Sequence, residues 1–198
     1  RLGYEGSQDY DLALRATEKA RHVGHIPRIL YHWRVLEGST ASSGNEKNYS
    51  FEAGIKAVQD ALDRRSIPAK AYQPKWAIES GCGYYSHKFE DQGDSVAIII
   101  PMKNQAKITS RLLRSLERTT YTNFKVYIIN NESNEEDAIQ LLRETTHTVV
   151  DIPNKNGCFS YAHINNEAVS QVKEDLILFL NNDTEVITPD WLNQMVGY

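Results

Sequence analysis

"VAIIIPMKNQAKITSRLLRSLERT" (Val96–Thr119) sets a run of apolar residues against a polar turn and then a helical pattern. Val96 to Ile100 is apolar without alternation, which suits a strand buried on both faces. Beyond the turn, Ile108, Leu112, Leu113 and Leu116 recur at helical spacing. The same rhythm then repeats. "FKVYII" (Phe124–Ile129) is a second strand, and "NNESNEED" leads from it into a helix in which Ser133 and Glu136 have capping-box spacing. "HTVVDI" (His147–Ile152) is a third strand. "YAHINNEAVSQV" (Tyr161–Val172) is a helix with Ala162, Asn165, Asn166 and Val169 along one side. "LILFL" (Leu176–Leu180) is a fourth, buried-looking strand, and Thr188-Pro189 takes the N-cap and first-turn positions of a further helix. Strand and helix alternating in this way predict an α/β fold, a doubly wound and mostly parallel sheet with right-handed crossovers.

In an open parallel sheet, ligands bind outside the carboxyl ends of the strands where the winding direction switches. With the strands in third-second-first-fourth order, that crevice lies between the first and the fourth. The first strand ends in "PMKN" (Pro101–Asn104), the second in "NNES" (Asn130–Ser133) and the fourth in "NND" (Asn181–Asp183). Neither a dinucleotide fingerprint nor a P-loop follows Ile100, so a bound diphosphate lacks the usual glycine-rich cradle. Oxygen ligands at Asn181, Asn182 and Asp183 suit Mg2+ or Mn2+, with the phosphates completing the shell. The competing reading of the same three residues is a plain Asx-rich turn.

Bulk properties narrow the function classes. The chain has 198 residues and a net charge of -4, which argues against a nucleic-acid-binding surface. No apolar run approaches the roughly 18 residues that cross a bilayer. Cys82 and Cys158 are far apart and lack metal-ligand spacing, so a reducing compartment is expected rather than a disulfide framework. The chain starts at Arg1 and stops at Tyr198 inside a helical pattern, as an excerpt of a longer protein would.

Upstream of Ser95 the character differs. "HIPRILYHWR" (His25–Arg34) reads as strand-like, and "GSTASSGNEKNYS" (Gly38–Ser50) as a loop. Phe51, Ile55, Val58 and Leu62 predict a helix over 49–65, and "WAIESGCGYYSHKFE" (Trp76–Glu90) a small hairpin or edge element.

From Val96 onward, "VAIIIPMKN", "FKVYIINNES", "NGCFSYAHINNEAV" and "LILFLNNDTEVITPDWL", in this order, resemble the family 2 inverting glycosyltransferases of GT-A fold. "LNNDTEV" and "FSYAHINN" look like the subgroup that builds bacterial O-antigens and rhamnose-rich polysaccharides. "GYEGSQDYDLALRATEKARHVGHIPRILYHWR" (Gly3–Arg34) resembles the end of such a domain. The resemblance therefore implies a tandem protein: residues 1–45 as the tail of one domain, 46–93 as a linker, and 94–198 as the nucleotide-sugar-binding half of the next. It implies transfer of a sugar from a UDP-, dTDP- or GDP-linked donor to a glycan or lipid-linked glycan, with inversion and with Mg2+ or Mn2+. A cytoplasmic location follows, and attachment of the full protein to the inner face of the membrane is compatible with it.

Residue by residue, Asp183 matches the metal ligand of the DxD-type motif, with Asn181 where the first Asp usually stands and Asn182 between them. Asn130, with Asn131 beside it, stands where an Asp commonly contacts the base. Pro101 and Lys103 occupy the segment lining the base pocket, Lys103 in place of an aromatic. Asp9 matches the catalytic base of the acidic pair, with Gln8 in the usual Glu position, and His32 matches a histidine that binds metal in some relatives. Asp9 and His32 would belong to one active site and Asp183 to another. The rival reading is a non-catalytic GT-A-like module that binds nucleotide or glycan.

Overall fold

A computed structural model describes residues 1–32, 48–89 and 93–198. It forms two compact units, Arg1–Glu90 and Asp91–Tyr198.

The first unit contains α1 (Gln8–Lys19), α2 (Asn48–Arg64), β1 (Ala69–Tyr72), α3 (Lys75–Glu79) and β2 (Ser86–Phe89). Helices α1 and α2 are joined mainly by polar contacts. Arg1 pairs with both buried Asp11 of α1 and Asp60 of α2, Ser7 Oγ donates to the Ser50 carbonyl at 2.7 Å, and Arg64 meets Glu18 through two 2.8 Å bonds. The apolar face of α2, with Ile55, Val58 and Leu62, covers Ala69 and Ala71 of the antiparallel β1–β2 pair.

The expected strand does not form in this unit, and the expected hairpin or edge element takes the form of an edge strand. His25–His32 forms no strand: Ile29 and Tyr31 are exposed, and no strand among the described residues pairs with this segment. Trp33 and Arg34 lie outside the described residues, as does the expected loop up to Lys47, while Asn48–Ser50 already belongs to α2. Trp76–Ile78 is helical because the Pro74 carbonyl accepts from the Ala77 and Ile78 amides and starts α3. The expected hairpin therefore pairs β2 with β1, across α3.

The second unit alternates β3 (Val96–Met102), α4 (Ala106–Leu116), β4 (Phe124–Asn130), α5 (Glu136–Glu144), β5 (Thr148–Asp151), α6 (Tyr161–Val169), β6 (Leu176–Phe179) and α7 (Trp191–Gly197). The sheet order is β5-β4-β3-β6, and every neighbouring pair is parallel. This is the doubly wound arrangement expected from the alternation. Along β3, Val96, Ile98, Ile100 and Met102 pack on one face with Leu112, Leu116 and Leu192, whereas Ala97 and Ile99 pack on the other with Ile164 and Ala168. Each such large side chain contributes about 1.5–3 kcal/mol on burial. At the amino end, Asp175 accepts from the Ser95 amide at 3.0 Å and its hydroxyl at 2.6 Å, fixing β6 beside β3.

The fourth strand is not buried. β6 is an edge strand, and Leu176, Ile177 and Phe179 are 37–47% exposed because no strand among the described residues pairs with its outer side. In α4, Ile108 is exposed and Thr109 takes the inward position. In α6 the buried side is Ile164, Asn165 and Ala168, while Ala162 and Asn166 face outward. The last helix starts at Trp191 with Asp190 as its N-cap, so Thr188-Pro189 is a preceding turn. The capping box at Ser133 and Glu136 does not form, for a reason that lies at the site.

Candidate functional site

The loops leaving the carboxyl ends of β3 and β4 are locked together through Asn104. Asn104 and Gln105 are both left-handed, at φ 57° and 59°, a conformation that costs a residue with a Cβ about 1–2 kcal/mol. Hydrogen bonds offset that cost. The Asn104 amide donates to Ser133 Oγ at 2.8 Å, and its Oδ1 accepts from the amides of Asn134 at 2.8 Å and Glu135 at 3.1 Å. Asn104 therefore holds the two residues just ahead of α5, and Ser133, whose hydroxyl accepts from the Asn104 amide, does not cap the helix.

The two asparagines after β4 have different environments. Asn130 Oδ1 accepts from the Ser133 amide at 3.0 Å, and its Nδ2 donates to Asp151 at 2.7 Å, so its side chain is engaged in holding loops. Asn131 is 1% exposed. Its backbone amide donates to the Met102 carbonyl, and its Nδ2 donates to the Ile152 carbonyl at 2.9 Å. Those contacts fix the orientation of the carboxamide and leave Oδ1 buried without a protein partner. A buried acceptor of that kind is paired in most folded proteins, by protein, water or ligand.

Asn131 lines a cavity of about 270 Å3. Pro101, Met102, Lys103 and Gln105 supply one wall, and Asn181 and Asn182 contribute from the end of β6. Phe159, Tyr161 and Ile164 add apolar surface from the start of α6. The lining is mostly apolar or carboxamide, and Lys103 is its one basic member.

At the tip of β6 the expected turn and the expected oxygen cluster coexist. The Asn181 carbonyl accepts from Thr184 Oγ1 at 2.8 Å, and Asn182 Nδ2 donates to Thr109 Oγ1 at 3.3 Å. This bond explains why Thr109 faces inward. Asp183 is exposed, and among the described residues no hydrogen bond or ion pair engages its carboxylate. No group of three or more His, Cys, Asp or Glu side chains among the described residues could hold a metal. The donor set at this tip, one free carboxylate with carboxamide oxygens beside it, fits a hard divalent cation only when a ligand supplies the remaining oxygens.

Of the residues singled out by sequence, Pro101, Lys103, Asn131, Asn181 and Asn182 share the cavity, whereas Asn130 and Asp183 are not part of its lining. Asp9 and His32 lie in the first unit, both exposed. Asp9 occupies the first turn of α1 and accepts from the Tyr10 amide at 2.8 Å. Met102, Gln105, Phe159, Tyr161 and Ile164 were not anticipated. The signal for Phe159 and Tyr161 was available, since aromatics directly after the third strand's loop fall at the ligand end of such a sheet.

Electrostatics at the rim centre on Glu132. It accepts from the Asn154 amide at 3.0 Å and from Asn154 Nδ2 at 2.6 Å, and these bonds hold its carboxyl below the usual carboxylate range. Lys103 Nζ, 3.7 Å away, adds to that effect.

The sequence profile of glycosyl transferase family 2 matches residues 97–198. Among curated proteins, the whole chain aligns at 34% identity with the uncharacterized protein y4gI of Sinorhizobium fredii, covering 22% of its length. It aligns at 33% identity with the O-antigen biosynthesis protein RfbC of Myxococcus xanthus, covering 15% of its length. The chain thus spans less than a quarter of either relative. Among solved structures, the mannosyltransferase PcManGT of Pyrobaculum calidifontis, in complex with GDP-Man and Mn2+, is similar at a TM-score of 0.46 and 15% identity, over 54% of this chain and 32% of that one.

Proposed function

The chain belongs to glycosyl transferase family 2, and we propose that its second unit is the donor-binding half of an inverting, metal-assisted transferase acting on a growing glycan. The observation that carries this reading is the cavity at the carboxyl ends of β3 and β6, which Asn131 lines with Lys103, Asn181 and Asn182 while its Oδ1 has no protein partner. An acceptor of this kind suits the imide N–H of uracil or thymine or the lactam N–H of guanine, and Phe159 and Tyr161 offer apolar surface to the same ligand. Lys103, the one basic residue of the lining, would be available to the diphosphate. Asp183, with the carboxamide oxygens of Asn181 and Asn182, would hold Mg2+ or Mn2+. Such an ion supplies a Lewis acid for the departing diphosphate.

In the reaction itself, the acceptor hydroxyl oxygen bonds to the anomeric carbon as the bond from that carbon to the nucleotide diphosphate breaks. A carboxylate takes the hydroxyl proton. We assign residues 1–45 to the tail of a preceding domain, with Asp9 as its base and His32 as its metal ligand, and residues 46–93 to a linker. One observation favours a second reading, a nucleotide-binding module without metal: the tip of β6 carries a single carboxylate.

Calorimetric titration of the chain with UDP, dTDP and GDP, each with and without Mn2+, tests the proposal. Expected is binding of one nucleotide that strengthens with Mn2+ and loses that dependence in Asp183→Ala. Binding indifferent to Mn2+ would favour the module, and no binding of any nucleotide by the folded chain would remove the donor-site reading.

A further inference from the structure

Glu132 ties three loops together at the ligand end of the sheet. It follows β4, its carboxylate accepts from Asn154 after β5 through both oxygens, and it pairs with Lys103 after β3. It does so from the left-handed region, at φ 60°, where a side chain bearing a Cβ is disfavoured. Glycine would occupy that conformation more readily, so the side chain's contacts compensate for the backbone. Among the residues lining the cavity, Lys103 alone is basic. Its charge is directed at an anion of the protein's own, and an incoming diphosphate competes with that anion for it.

We propose that Glu132 is a positioning residue that holds Lys103 in an exchangeable ion pair. A bound diphosphate takes Lys103 over, and the charge at position 132 thereby sets how strongly the pocket prefers a nucleoside diphosphate to the bare nucleoside. This rests on the donor-site reading above. Both partners are about half exposed, with side-chain exposures of 50% and 44%, so the exchange is inexpensive: pairs of this kind are worth about 1.5- to 5-fold in an equilibrium constant.

The test uses the full chain as wild type, Glu132→Gln, Lys103→Met and the double variant. Glu132→Gln keeps an acceptor oxygen for the Asn154 amide while removing the charge. Each protein is titrated with whichever of UDP, dTDP and GDP binds, and with the matching nucleoside. Expected is a gain of about 1.5- to 5-fold in diphosphate affinity for Glu132→Gln, an unchanged nucleoside affinity, and loss of most of the gain in the Lys103→Met background. Equal shifts for diphosphate and nucleoside, or an equal gain in both backgrounds, would overturn the proposal and leave Glu132 a structural clamp.

Inorganic pyrophosphate gives a readout that needs no base. Its addition should move the Glu132 carboxyl resonance toward that of a carboxyl without a cationic neighbour in the wild type, and leave it in place in Lys103→Met. A chain that binds no nucleotide yet shows this response would refute the donor site while supporting the exchange. A Glu132 resonance insensitive to pyrophosphate would refute the exchange.

Discussion

Replacing Asn131 by Asp exchanges one nitrogen for one oxygen at nearly constant volume, and the structure predicts that the cost depends on pH. Asn131 Nδ2 donates to the Ile152 carbonyl at 2.9 Å in surroundings where the residue is 1% exposed. An ionised Asp would set lone pairs against lone pairs there. Leaving a buried partner unpaired costs ~1–3 kcal/mol, and the new charge is desolvated besides. A protonated carboxyl can instead donate to Ile152 in the place of Nδ2. The folded state therefore favours the protonated form, raising the new group's pKa above the ordinary Asp value of about 3.9, with each unit worth about 1.4 kcal/mol.

A raised folded pKa contributes stability that is present below the unfolded value and lost as pH rises through the folded one. Relative to wild type, Asn131→Asp should thus be only slightly destabilised near about pH 4 and destabilised by ~1–3 kcal/mol near about pH 8. Urea unfolding followed at the amide signals of Ile128 and Ile129 would measure both. A variant as stable as wild type at the higher pH, or an equal deficit at both, would refute the assignment of Nδ2 to Ile152.

Two further predictions concern the scaffold. Ser115 Oγ donates to the Leu112 carbonyl at 2.7 Å and accepts from the Val186 amide at 3.0 Å, both buried. Ser115→Ala should cost ~1–3 kcal/mol through the orphaned amide, with faster hydrogen exchange at Val186 as its local sign. Burial lowers the pKa of His147 from its ordinary 6.5, against a weaker opposing effect of Glu117. The unfolded chain then takes up a proton before the folded one does, so stability should decline as pH falls below 6.5, and His147→Gln should flatten that decline in acid-unfolding curves.

The sheet was legible because its central strands carry their own evidence. Continuous apolar runs such as Val96–Ile100 need cover on both faces, and alternate residues of β3 do face different cores. The same reasoning misjudged "LILFL", since edge position depends on which strand lies alongside and not on the strand's own composition. Ser133 and Glu136 had the spacing of a capping box, but α5 starts only at Glu136 and Ser133 Oγ accepts instead from the amide of Asn104, on another loop. Thr109 displaced Ile108 from the buried stripe because Asn182 bonds to its hydroxyl, again a contact between distant residues.

At the site, the run of asparagines was visible, but strand geometry turns neighbours to opposite sides. Which of Asn130 and Asn131 meets the cavity is decided by pairing with Met102 on β3, where the Asn131 amide is held. The sequence alone does not contain that choice.

The most direct test of the account is to map a nucleotide diphosphate onto the isotope-labelled chain by NMR, titrating UDP, dTDP and GDP in the presence of Mg2+. The account predicts that one of them shifts the side-chain carboxamides of Asn131 and Asn182 most strongly, together with backbone amides of Met102–Gln105 and of Phe159–Ile164. Shifts confined to other surfaces of the sheet unit, with the Asn131 carboxamide unmoved, would contradict it.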